Sequence, residues 1–380
     1  MQRMVKRAYL PMLLLVVLAM LAAGCSDETE TVLSAETSAG GGGSREVTDL
    51  AGRTVTVPAD VERVVAVGSG ALRLVVYADG ADRVVGVEEF ETRPPVSRPY
   101  TIANPELLEL PLVGVGGPDS AVDAERLLAV EPDVIFIAQV ADASGADELQ
   151  AATHIPVIVV SYGDLGTIDE PFFTSLGLVG SVLGTTDHTA DVVSRIRDTI
   201  VDLNERTADI PDEARPTAYV GALGLKGAHG IESTQAGYLP FGAIGARNVA
   251  ADLGASSTIM IDLEQLLAWA PDHIFIDLGG LSLVRDDVKA DRSFYEGLGA
   301  VRDGHVYGQL PFNSYSSNVE LALADAYYVG TVLYPDRFAD VDPVAIADEL
   351  SEALVGAPVY DQLASAYGSG FGVLDLLGGE

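Results

Sequence analysis

The chain runs to 380 residues, 48% of them hydrophobic, with 56 acidic side chains against 22 Lys and Arg and a formal charge of −34. So acidic a surface argues against nucleic-acid binding and against adsorption to anionic lipid. A single cysteine excludes any internal disulfide framework.

The first predicted element is a leader. Arg3, Lys6 and Arg7 precede an apolar run over 10–23 that contains Pro11. That run is too short for a spanning helix, which needs about 20 apolar residues, and it fits a secretory signal peptide instead. Leu21-Ala22-Ala23-Gly24-Cys25 looks like a bacterial lipobox, with Cys25 as the acylated mature N-terminus. A diacyl anchor holds a protein durably at a membrane face. Loss of residues 1–24 removes three cations and no acid, so the mature charge is −37. The polar, glycine-ended stretch 25–45 reads as a flexible tether. The folded part starts at Glu46, and the rest of the chain is long enough for two domains with their own cores.

Residues 46–167 read as a first α/β lobe. Its strands are predicted over 63–67, 84–87 and 157–160, with Gly68-Ser69-Gly70 turning from the first strand into a helix. Residues 168–210 form the connection. Within them, Val192, Val193, Ile196, Ile200, Val201 and Leu203 recur at helical spacing over 187–209, with Thr186 as N-cap and Pro211 as stop. A helix of about six turns is a stiff strut roughly 30 Å long. Residues 211–380 read as a second lobe, with strands predicted at 217–220 and after the Asp303-Gly304 turn.

The lobes are tied together by an internal echo. Residues 123–137 (DAERLLAVEPDVIFI) and 262–276 (DLEQLLAWAPDHIFI) match at a constant offset of 139. Each copy predicts a short amphipathic helix, a Pro-Asp break, and an apolar strand covered on both faces. The fold expected is therefore α/β: two similar lobes with mainly parallel central sheets, one long joining helix, and a ligand cleft between.

In such an arrangement, ligands sit at the C-terminal ends of the strands. Three segments qualify by position. The Gly68-Ser69-Gly70 turn offers backbone amides and Ser69 to an anion, with Arg73 one turn on as a fixed charge; the same glycines also suit a tight turn that binds nothing. The glycine-rich loop after the 217–220 strand carries Lys226, His229 and Glu232. The last two are possible metal ligands but too few for a closed site, so contact with a chelate ranks above a bare ion, and Lys226 equally suits a plain surface cation. Segment 311–318 offers Asn313 and Tyr315, while Asn318 suits a helix N-cap. Tyr100 and Tyr162 are placed to stack on a flat ligand, whereas Trp269 and His154 read as core. No H-E-x-x-H, G-x-S-x-G or Walker A pattern is present, so the expectation is a binder and not an enzyme.

Lipobox, tether, paired lobes and strut together resemble the substrate-binding proteins of ABC importers for iron-siderophores, haem and cobalamin. The opening Val47–Pro58 stretch is similar to that family's first hairpin, and both Pro-Asp strands match its pattern. The resemblance implies a monomer on the outer face of the cytoplasmic membrane, partnered by a permease and its ATPase. It implies no intrinsic cofactor and, as transported ligand, a metal chelate of the ferric siderophore type. Haem, cobalamin or a molybdate/tungstate-type oxyanion are the alternatives, and a membrane-anchored enzyme is the alternative from another class. It also implies that Glu125 and Glu264, each seven residues before its Pro-Asp proline, dock on the permease.

Overall fold

A computed structural model describes residues 43–93, 98–117, 122–138, 143–163, 167–224, 226–254 and 257–378. The leader, the lipobox with Cys25 and most of the tether lie outside the described residues. Among the described residues no helix is long and apolar enough to cross a membrane.

The chain opens with an antiparallel hairpin of β1 (Ser44–Thr48) and β2 (Thr54–Pro58), in which Val55 and Val57 alternate inward. The first-lobe sheet then uses β3 (Val64–Val67), β4 (Val84–Glu88), β5 (Leu112–Gly114), β6 (Val134–Ile137) and β7 (Val157–Val159). Its spatial order is β5-β4-β3-β6-β7, and every pairing is parallel. All four residues of β3 and of β6 are buried, because helices cover both faces of the sheet.

In the second lobe β8 (Thr217–Gly221), β10 (Arg247–Asn248), β12 (His273–Asp277), β13 (Val306–Gln309) and β14 (Gly372–Val373) follow the order β10-β8-β12-β13-β14. Only the β13-β14 pair is antiparallel. A small ribbon of β9 (Ser233–Thr234) and β11 (Ile259–Met260) stands beside it.

The echo in sequence is an echo in structure. Glu131 (φ 46°) and Ala270 (φ 44°) both take the left-handed conformation just before proline, which ends each helix abruptly. The aspartate after that proline pins the first strand of its lobe. Asp133 accepts from the backbone N–H of Glu62 and Arg63 (2.9 Å each), and Asp272 accepts from Thr217 N–H at 2.8 Å. A carboxylate with two acceptor oxygens satisfies strand-end donors that no neighbouring strand reaches.

The connection holds two helices, Glu170–Leu183 and Thr186–Thr207. The second has 22 residues and so spans about 33 Å. Val192, Ile196 and Leu203 are buried along one stripe, but Val201, counted in that stripe from sequence, is exposed. At about 100° per residue its position falls almost half a turn away from the packed face. The cap is Thr185, one residue earlier than expected.

The lobes are not independent. Helix Pro343–Val355, within the stretch read as the second lobe, packs against Ala71–Tyr77 and Pro99–Ala103 of the first. Asn104 Nδ2 donates to Val355 O at 3.2 Å across that contact. One apolar core accordingly runs through both lobes, from Val55 to Leu376, and a smaller separate one around Val65, Ile135 and Val157 fills the other face of the first-lobe sheet.

Candidate functional site

In each sheet the strand order reverses beside the first strand, between β3 and β6 and between β8 and β12. Such a reversal leaves a crevice at the strands' C-terminal ends. A glycine marks each crevice. A Cβ on Gly68 (φ 89°) would lie 2.4 Å from Ala138 O, and one on Gly280 would lie 2.3 Å from His229 O. Both crevices are therefore floored by closely approaching main chain.

The first-lobe candidates gather around this floor, but most turn inward. Gly70 (φ 85°) caps helix Ala71–Tyr77, and a Cβ there would strike the ring of Tyr162. Ser69 is buried between the two glycines. Arg73, expected to face an anion, is instead fully buried and committed to the other lobe. It donates to Asn318 Oδ1 (2.9 Å), Tyr315 O (3.2 Å) and Ser314 O (2.8 Å), with its guanidinium 4.8 Å from the Tyr100 ring centre and 5.4 Å from that of Tyr162. The reason is local: Arg73 is on the helix face that the 311–318 loop covers. Tyr100, expected to stack on a flat ligand, is fully buried and donates to Glu91 Oε2 at 2.7 Å. Tyr162 is 9% exposed and packs edge-on against Phe172.

Tyr315 is likewise an interlobe contact. Two successive left-handed residues, Tyr315 (φ 53°) and Ser316 (φ 77°), turn the tip of the loop, and Asn313 and Ser317 bridge its base. The Tyr315 hydroxyl donates to Glu88 Oε2 (2.7 Å) and accepts from Gly117 N–H (2.9 Å), while its ring lies 4.4 Å from that of Phe90. Glu88 also accepts from Gly68 N–H at 3.0 Å. Burial raises the Glu88 carboxyl above its ordinary range, and the two hydrogen bonds offset part of that. Deeper in the same seam, Tyr77 donates to Glu320.

The second-lobe candidates sit at the other crevice, on the loop after β8. Lys226 is exposed, in a left-handed conformation (φ 52°), and His229 and Glu232 are half-buried. Glu232 Oε1 accepts from Gly230 N–H at 3.1 Å. The carboxylate of Glu232 helps to raise the Asp287 carboxyl, after burial as the larger cause. Among the described residues, no three His, Cys, Asp or Glu are grouped so as to hold a bare metal ion. Asp277, which ends β12 at this crevice, is buried and accepts from Gly279 N–H at 2.8 Å; burial pushes its carboxyl up to about 7.

Glu88, Phe90, Gly117, Glu320 and Asp277 were missed from sequence. The one signal for Glu88 and Asp277 is an acid ending an apolar strand, where a chain usually turns to solvent. The docking candidates Glu125 and Glu264 are exposed in the first turns of helices Ala124–Ala129 and Leu263–Trp269. Such helices run opposite to the strands, so both carboxylates lie toward the strands' C-terminal ends, one per lobe.

Two solved structures share this architecture. A periplasmic solute-binding protein from Veillonella parvula DSM 2008 superposes with a TM-score of 0.68 at 19% identity, covering 86% of this chain and 97% of that one. The molybdate-bound MolA of Haemophilus influenzae gives 0.64 at 22% identity, covering 83% and 98%. In sequence, the molybdate-binding protein MolA of Haemophilus influenzae is 26% identical over 322 residues, 78% of this chain and 87% of the relative. A model for periplasmic binding proteins matches residues 64–309, well over half of the chain, and the protein belongs to that family.

Proposed function

We propose that this protein is the lipid-anchored solute-binding component of an ABC importer and that its cargo is a small metal oxyanion of the molybdate/tungstate kind. The observation that carries the choice of cargo is the burial of Tyr100 and Tyr162. A haem, a corrinoid or a large ferric chelate needs an aromatic platform or a broad wall, and these two rings are packed inside the first lobe. The flank they would have served is filled by Tyr315 from the second lobe. A small anion needs only amides and a cation at the crevices, which Ser69 and Gly70 of the turn and exposed Lys226 offer, Gly68 N–H being held by Glu88. The similarity to a molybdate-binding relative supports the same reading.

The test is equilibrium dialysis of the full chain, with metal analysis, against molybdate, tungstate, a ferric hydroxamate and haemin. Retention of molybdate or tungstate at one per chain, weakened about tenfold by Lys226→Gln, is expected. Retention of the ferric complex or haemin alone would return the cargo to the chelate reading. Retention of none would remove the metal-solute role.

A further inference from the structure

Both docking candidates stand beside a leucine that the fold leaves partly in solvent. Each copy of the internal echo contains a Leu-Leu pair, and the two members behave oppositely. Leu127 and Leu266 are fully buried under their helices, which completes the core contact. Leu128 is 44% exposed and Leu267 38% exposed. They are three residues after Glu125 and Glu264, so each shares a helix surface with its carboxylate. Leu263 and Met260 widen the apolar area in the second lobe, and Leu112, on a strand in contact with helix Ala124–Ala129, is exposed in the first. A scattered exposed leucine is ordinary. Exposure at the same point of both halves, next to an unburied carboxylate, is a pattern.

We propose that Leu128 and Leu267 are the apolar parts of two matched docking contacts, one per lobe, for a membrane partner with two equivalent sockets. Each socket presents a cation to the glutamate and an apolar wall to the leucine. The proposal rests on the importer role. Charge alone would not single out these two glutamates, since the chain has 56 acids. A carboxylate steers the approach, and a leucine removed from water holds the bound state and sets its register. The chain's acidity makes the partner's cations the natural complement, and the 139-residue repeat makes a two-fold partner the natural shape.

Full-length variants Glu125→Cys, Glu264→Cys, Leu128→Cys, Leu267→Cys and, on helix Leu281–Ala290, Leu283→Cys are labelled with a thiol-reactive benzophenone. They are then irradiated on membranes of the source organism, with labelled wild type setting the Cys25 background. The first four should each form an adduct with the membrane subunit of an ABC importer, identified by mass spectrometry, and Leu283→Cys should not. Adding Leu267→Asp to Glu125→Cys should cut its adduct about tenfold with the far-UV spectrum unchanged. Adducts from the glutamate positions but not the leucine positions overturn this proposal and leave the importer role standing. Loss of all four overturns the docking reading as well. Equal labelling from Leu283→Cys, or adducts only with a second copy of this chain, also overturns it.

Discussion

Asp277 ends a strand at the second crevice with its carboxyl buried and raised to about 7. Between the ordinary carboxylate range and that value, the folded protein keeps a proton that the unfolded chain has released. Stability therefore falls as pH rises through this window and levels off above it. Asp277→Asn keeps an oxygen for Gly279 N–H and does not titrate. Its stability relative to the parent should climb by about 1.4 kcal/mol per pH unit from about pH 4 to about pH 7, then hold. Urea unfolding of both proteins across that range checks it, and a flat difference would contradict the burial argument. At this scale the sequence was least legible. Arg73 and Tyr315 were read as ligand contacts, whereas they contact each other across more than 240 positions. Helical periodicity says that Arg73 lies on a covered face and is silent on which lobe covers it. Glu88 had no local signal beyond its place at the end of an apolar strand.

Elements were far more legible. The strands at 64–67, 84–88 and 217–221 sit within a residue of the expected bounds, because continuous apolar runs ending in glycine or an acid have few alternative structures. The joining helix was legible for the same reason, apart from Val201. Helix Glu170–Leu183 was absorbed into the connection, since its apolar residues and glycines show no clean stripe. Those glycines have a packing role. A Cβ on Gly180 would lie 2.3 Å from Thr189 Oγ1 and 2.9 Å from Thr189 Cβ, so here the two connecting helices touch almost backbone to side chain. Gly180→Ala should push them apart and cost about 1–3 kcal/mol, with Thr189→Ala recovering part of it. Denaturation midpoints of the two single variants and the double variant decide the matter, and an unchanged Gly180→Ala midpoint would mean that the helices slide freely.

For the molecule as a whole, the paired lobes were visible from the repeat alone, but their fusion was not. Repeats report what each half shares, whereas helix Pro343–Val355 and the 311–318 loop belong to one half only. A core continuous from Val55 to Leu376 predicts one cooperative transition. Fluorescence of Trp269, in the second lobe, and far-UV circular dichroism should give coincident urea midpoints. Separated midpoints would show the halves melting apart.

The loop tipped by Tyr315 sets a further condition on movement. It is covalently part of the second lobe, yet its tip is fastened in the first by a tyrosine hydroxyl, a ring contact and three hydrogen bonds from one buried guanidinium. Parting the halves by extraction would strand that cation in a dry seam, so the loop travels with its host. The halves can then part only as far as the backbone angles at the loop's two roots allow, and those roots are themselves buried, with Leu310 N–H donating to Asp325 Oδ1 at 3.2 Å and Asn318 Nδ2 to Phe312 O at 2.9 Å. Release of cargo would accordingly begin as a change in those few backbone angles.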